Sequence, residues 1–472
     1  MRSSGSIHTQ IRTLIIATSG VQLANGFFGT FISLRVALEG FDTTLAGLVL
    51  SSFFAGFTVG AVRSGRIIER IGHIRAYAAF AGLVVAATAA MPLLVAPLPW
   101  LVLRAIVGFG CAGIFVTTES WLNAKAQPSE RGRIFSVYMV GTFIALALGQ
   151  LLIGRARIET AAPFNAIIAL FAVALVMVST TRAEPPQATA TATVPYGELS
   201  RAAPVAVVGA ALSGLIASTF YALVPAWMES KGIDRGTIGL FMLAAVLGGL
   251  AFQVPVGRLS DRFDRHIVLA ALGVGFAGAA VALVHLPRTL PVILPTAALL
   301  GGFMSTLYPV CVADALDRMP ADRVVAVSGR LILVSGLGSV LGPIIGTSVM
   351  GRFAIDGVFD LMAATAFLLA LLAAGRSLVS ASPIRQERPF EILAPQAAPL
   401  AHDQLHFFRR THAAGCGALM PTARRVRTDL IADAGVIGLH CCPLRGGGAS
   451  AIENCACHRD NDGRLYRLCY PL

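Results

Sequence analysis

Gly65-Arg66-Ile67-Ile68-Glu69-Arg70-Ile71-Gly72-His73-Ile74-Arg75 returns 192 residues later as Gly257-Arg258-Leu259-Ser260-Asp261-Arg262-Phe263-Asp264-Arg265. Working outward at the same offset, Gly47-Leu48 falls on Gly239-Leu240, Pro99 on Pro291 and Gly110 on Gly302. Pro128, Glu130-Arg131 and Ser136 fall on Pro320, Asp322-Arg323 and Ser328. A constant offset without gaps over about ninety residues means two copies of one unit, and long apolar runs dominate each copy. Duplicated hydrophobic halves with a substrate site between them are a recurrent design of secondary transporters.

Composition places the chain in a bilayer. Apolar residues make up 56% of its 472 and charged residues 13%, about half the charged share of a soluble domain. Mean hydropathy is +0.73. The net charge of +12 does not mark a nucleic-acid partner, because the positive residues of the apolar body sit mostly in short loops between apolar runs. The first such run follows a polar N-terminus and is about 22 residues long. It is too long for a signal-peptide core and reads as a spanning helix.

With about 20 apolar residues needed per crossing, twelve spans are expected. Six lie near 12–34, 45–62, 76–96, 98–122, 134–153 and 160–180, and six near 204–227, 236–256, 267–286, 289–313, 328–350 and 357–379. Placing the N-terminus inside puts sixteen Lys/Arg in cytoplasmic segments against seven outside, so both termini are expected in the cytoplasm. An even number of spans per half makes the halves parallel repeats. The expected fold is thus an all-α membrane protein of twelve transmembrane helices in two six-helix repeats.

The expected divisions are an N-terminal half (1–181), a Thr/Ala/Pro-rich cytoplasmic linker (182–203), a C-terminal half (204–380) and a tail (381–472). The tail holds six of the eight cysteines, and its apolar periodicity disappears. Cys455, Cys457 and His458 with His440, Cys441 and Cys442 offer zinc-type ligands, but their spacing fits no common module. A disordered cytoplasmic tail, or an out-of-frame extension, is the simpler reading, and no metal or other cofactor is expected.

The repeated motif sits between spans two and three of each half. Its glycines (Gly65, Gly72, Gly257) permit close approach and a tight turn. Glu69 and Asp261 can bond helix-terminal N–H groups or a neighbouring arginine, and Arg66, Arg70, Arg75, Arg258, Arg262 and Arg265 lie at the inner surface. Contacts that form in one conformation and break in another are what a gate requires, with an ordinary positive-inside loop as the plainer alternative.

This motif and its copy resemble the signature loop of the major facilitator superfamily, with Glu69 where that pattern usually has aspartate. Asn25-Gly26, Glu119-Ser120-Trp121-Leu122-Asn123, Arg131-Gly132 and Gly149-Gln150 resemble the bacterial YcaD-like subgroup. The resemblance covers about residues 10–380 and implies the superfamily fold and solute transport, here in a bacterial inner membrane.

Arg104 falls in span four, where an ionised group needs a cavity or a partner. The stretch Arg104 to Gly110 is similar to a second superfamily motif, which implies a role in proton coupling. Glu119 lies about 22 Å further along the helix and about 60° around it, so the two mark opposite ends of one polar track. Their repeat positions are Thr296 and Cys311, neither charged. Packing residues should recur between copies, whereas substrate and ion residues need not. For each, a purely structural role is the competing reading: an interhelix bond for Arg104, a snorkelling carboxylate beside Lys125 or Arg131 for Glu119. Arg330, with Tyr138 as counterpart, either binds an anion or snorkels. Gln22, Asn25, Gln150, Tyr221, Gln253 and Tyr308 are candidate cavity residues, with interhelical glue as the alternative for each. Span five lacks the Gly-x-x-x-Gly-Pro pattern of drug–proton antiporters, and Gly338 to Pro343 carries it in span eleven instead.

No nucleophile–base pair, phosphate loop or ATPase motif is visible, so an enzyme is not expected and pumping must draw on an ion gradient. The leading expectation is a monomeric, proton-coupled secondary transporter of a small organic solute. Its rival is a non-transporting membrane sensor or scaffold built on a transporter fold.

Overall fold

The computed structural model describes residues 4–127, 129–181, 195–320, 323–379, 454–459 and 465–470. The first half contributes helices α1 (Ser4–Leu38), α2 (Thr43–Ile71), α3 (His73–Ala90), α4 (Pro97–Lys125), α5 (Arg131–Gln150) and α6 (Ala162–Ser179). A short helix, α7 (Tyr196–Ala202), precedes the second half. That half comprises α8 (Pro204–Ser230), α9 (Arg235–Arg262), α10 (Arg265–His285), α11 (Leu290–Arg318), α12 (Val324–Arg352) and α13 (Gly357–Val379). Twelve of these helices are long and apolar enough to cross a membrane. Separately, Asn454–Arg459 (β1) and Leu465–Tyr470 (β2) pair antiparallel, Cys455 opposite Cys469. The tail's other residues, including His440, Cys441 and Cys442, and linker residues 182–194 lie outside the described residues.

The repeat is legible in the helix ends. α2 starts under an Asp42 cap that accepts from Thr44 N–H, and α9 starts 192 residues on under an Asp234 cap that accepts from Thr237 N–H. Each cap satisfies an orphan donor of the first turn. The following joint uses two solutions. Gly72 turns the chain at φ 82°, a left-handed value that suits glycine. Its counterpart Asp264 turns at φ −55° and caps α10 through His266 N–H.

The same pairs of helices pack in both halves: α2 on α4 and α9 on α11, α1 on α5 and α8 on α12, α3 on α6 and α10 on α13. Small residues allow this closeness. A Cβ on Gly56 would strike the backbone of Ala105, and one on Gly248 would strike that of Ala298. The halves meet through α2 with α12, α5 with α9, and α1 with α8. Large apolar side chains such as Val102, Val137, Val176, Leu337 and Leu371 stay exposed on the bundle's outside, as a lipid-facing surface requires.

One expectation is corrected by the helix bounds. Gly65, Arg66, Glu69 and Arg70 belong to the last two turns of α2, and Gly257 to Arg262 to those of α9. Only Gly72 and the Phe263-Asp264 pair form the turn. No breaker separates the apolar run from the motif, so the helix continues beyond it.

Candidate functional site

A cavity of about 210 Å³ lies between the halves. Its walls are chemically different. From the first half, Phe28 of α1, Phe53, Phe54 and Phe57 of α2, and Arg104 of α4 face it. From the second, Ser213 and Ser218 of α8, Ser305 of α11, and Ser335 and Ser339 of α12 line it with Tyr221 and Tyr308. Among the described residues lining it, Arg104 alone carries a formal charge.

Arg104 is 5% exposed. Its guanidinium carbon stands 4.9 Å from the Phe28 ring centroid and 4.7 Å from that of Phe53. Its Nε has no hydrogen-bond partner among the described residues. A guanidinium at the centre of a spanning helix costs about 2.5–3.5 kcal/mol on insertion scales, an upper bound for Arg104 in the third turn of α4, and each ring contact returns about 0.5–2 kcal/mol. The rings therefore offset much of the burial, while Nε stays without a partner among the described residues. Across the cavity the buried Tyr221 hydroxyl is likewise without a partner among the described residues.

Of the other sequence candidates, Asn25, Gln150, Tyr221 and Tyr308 line the cavity. Asn25 donates to Gln22 Oε1 at 3.4 Å and accepts from Cys111 Sγ at 3.4 Å, while Thr30 donates to Gln150 at 2.5 Å. Gln22 and Gln253 lie off the cavity. Gln22 supports Asn25 from within α1, and Gln253 donates to Ser305 O at 3.4 Å, tying α9 to α11. Of the two, Gln253 bonds between helices, whereas the Gln22 bond stays within α1.

Glu119 is 1% exposed and is not on the cavity wall. Tyr138 Oη lies 3.5 Å from its Oε1, and the adjacent Thr118 shares a hydrogen bond of 3.0 Å with Thr18. Arg104 and Glu119 stay apart, at different depths of α4. Arg131, a suggested partner for Glu119, donates to Asn123 O at 3.0 Å.

At the motif end, Arg66, Glu69, Arg70, Arg75, Arg258 and Arg262 are exposed and form no ion pair among the described residues. Arg265 differs. It is 4% exposed, and its Nε donates to Asp317 Oδ2 at 2.6 Å. Beside it, Asp314 accepts from Arg318 at 3.0 Å and lies 3.4 Å from His266 Nε2. Arg330 stacks on Tyr196 of α7, 4.3 Å from its ring centroid, so the aromatic ring covers the guanidinium that sequence left between two readings.

At the opposite end the halves are clasped. Arg235 of α9 pairs with Glu159, between α5 and α6, at 2.8 Å. Ser33 of α1 donates to Ala222 O of α8 at 2.6 Å. A Cβ on Gly154 would lie 3.1 Å from Gly236 Cα.

The Major Facilitator Superfamily profile matches residues 14–234 and again 206–423, one match per half. The chain belongs to the major facilitator superfamily. Within that superfamily it is 30% identical over 370 residues to an Escherichia coli O7:K1 protein described as an uncharacterized MFS-type transporter, YcaD, covering 77% of this chain and 96% of that one. The Shigella flexneri counterpart is likewise 30% identical over 370 residues. The nucleoside transporter NupG superposes with a TM-score of 0.66 at 14% identity, covering 78% of this chain and 98% of NupG. A bacterial homologue of the lysosomal transporter Spinster, inward-facing and occupied, gives 0.65 at 16% identity, covering 83% and 100%. At such identities the structures speak for the fold. The superfamily is one of membrane transporters, not an enzyme class, and this member is a multi-pass membrane protein.

Sequence reading missed the serines and phenylalanines of the cavity. A signal existed. Ser213, Ser305, Ser335 and Ser339 fall on Val21, Gly113, Phe143 and Ala147 at the repeat offset, and Phe53 and Phe57 fall on Ala245 and Gly249. Failure to recur marks both walls, as it marks Arg104.

Proposed function

We propose that the chain is a proton-coupled secondary active transporter of a small organic solute, working by alternating access between its halves. The cavity carries this reading: it lies on the seam between the repeats, where inverted or parallel repeats place their substrate sites, and among its described lining residues Arg104 alone is charged. The clasp at the Arg235–Glu159 end, together with Arg66, Glu69, Arg70, Arg75, Arg258 and Arg262 exposed at the other end, fits one extreme of a rocking cycle. The motif would then engage when the halves tilt the other way. Glu119, buried beside a phenol off the cavity, is the carboxylate suited to carry the proton, with Arg104 responding to cargo. Arginine asymmetry supports cytoplasmic termini and a bacterial inner membrane, and one chain with a complete cavity supports a monomer.

Reconstituted into proteoliposomes, the full chain should move labelled solute against its gradient when an inward or outward proton gradient is imposed. If neither proton nor sodium gradients drive flux of any solute in a broad panel, active transport is refuted.

A further inference from the structure

We infer that Arg104 is an anion-recognition point and that the cargo is a small organic monoanion, a carboxylate on a flat apolar body. This rests on the transporter reading of the cavity and adds the class of cargo. The guanidinium carbon of Arg104 lies over two phenyl rings, 4.9 Å from the centroid of Phe28 and 4.7 Å from that of Phe53. What remains for a ligand is its N–H edge, and a carboxylate fits such an edge with two parallel hydrogen bonds. Among the described residues, Nε has no hydrogen-bond partner and no carboxylate lines the cavity.

Charge sets the valence. A single cation in an apolar cavity neutralises one negative charge. A phosphate monoester would leave a second charge buried without compensation, and a cation would add to the first. Shape comes from the rest of the wall, where Phe54 and Phe57 extend the aromatic surface. The volume of about 210 Å³ is below the roughly 300–1,000 Å³ of drug-sized sites, which selects a metabolite-sized acid. The second half answers with the unpartnered Tyr221 hydroxyl and a row of serines. A ligand held by Arg104 on one side and these hydroxyls on the other ties the halves together, so cargo binding itself favours their approach.

The test is equilibrium binding to purified full-length protein in nanodiscs, without any gradient. Two matched sets serve as probes: benzoate, benzamide and benzylamine, then hexanoate, hexanamide and hexylamine. Wild type should bind one carboxylate at least tenfold tighter than its amide and amine. Arg104→Gln should lose at least tenfold of that affinity, Arg104→Lys should fall between, and Tyr221→Phe should lose several-fold. Unfolding midpoints without ligand identify a variant that misfolds, and Arg104→Lys with Tyr221→Phe then carry the comparison. The inference is overturned if no carboxylate outbinds its amide, or if Arg104→Gln binds the carboxylate as wild type does. Because no gradient is applied, carboxylate binding without driven flux would count against coupling alone. Driven flux of a neutral or cationic solute, with no carboxylate binding, would count against the anion site alone.

Discussion

The two halves share a scaffold and divide the chemistry. Where α10 leaves the motif, the second half fixes it to α11 through Arg265–Asp317, with Asp314, His266 and Arg318 alongside. At the equivalent junction of α3 with α4, the first half joins His73 to Ser120 by a hydrogen bond of 3.0 Å and to the Trp121 ring. At this junction the second half is thus ionically stapled, whereas the first half places Leu122 and Lys125 where the second has Asp314 and Asp317. Removing one partner of a buried ion pair leaves the other charge uncompensated, which costs about 3–5 kcal/mol. Asp317→Ala should destabilise by that amount in chemical unfolding in detergent, whereas Lys125→Ala, at the equivalent site, should change stability by less than about 0.5 kcal/mol. Equal losses would mean that the halves are held alike.

Where the halves agree, they should fail alike. Gly56 and Gly248 occupy equivalent positions, and at each a Cβ would meet backbone that cannot swing aside. Gly56→Ala and Gly248→Ala should each cost about 1–3 kcal/mol, the range for overpacking a close contact. A large difference between them would show that the scaffold symmetry does not extend to the energetics.

Where they differ in charge, transport should follow the first half. Arg104→Ala should lower gradient-driven flux at least tenfold, equivalent to about 1.4 kcal/mol, with the unfolding midpoint as control for folding. Thr296→Ala, at the repeat position, should leave flux within about twofold, because Thr296 bonds only to Val292 O of its own helix at 2.7 Å among the described residues, and such a local bond contributes little. Unchanged flux in Arg104→Ala would remove that residue from the mechanism.

Most of the fold was legible because it rests on long-wavelength signals: apolar run length, arginine placement and a repeat with no gaps. The site was half legible. Arg104, Asn25, Gln150, Tyr221 and Tyr308 stood out as polar groups inside spans, and the structure brings them to one cavity. Gln22 and Gln253 stood out equally, yet they face other helices, since hydropathy does not say which side of a helix meets the seam. Serine carries too little polarity to interrupt an apolar run, so Ser213 and Ser335 passed unnoticed. The staple at Arg265 was hidden for a different reason. Its partner Asp317 lies 52 residues away on α11, and an arginine in a positive-inside position reads as solvated until the packing is known.

The smallest effect lies at the clasped end. Asp356, in the joint between α12 and α13, accepts from Trp227 Nε1 at 2.7 Å and from Lys231 Nζ at 2.9 Å. Burial opposes its ionisation, but those hydrogen bonds and the charges of Lys231 and Arg288 outweigh it and hold the carboxyl below its usual value. The folded group is therefore the stronger acid, so its contribution is complete above the ordinary aspartate pKa of about 3.9 and fades as pH falls through the lower folded value. The first half has Phe164 at this position, packed against Trp100 and Phe31, with nothing to titrate. Asp356→Asn should flatten the acid limb of the unfolding midpoint below about pH 4. With the side chain 32% exposed, solvent screening keeps the difference below about 1 kcal/mol. Identical acid limbs in variant and wild type would show that the Asp356 charge does not hold the second half's outer joint, and that this half's ionic contribution is confined to the motif end.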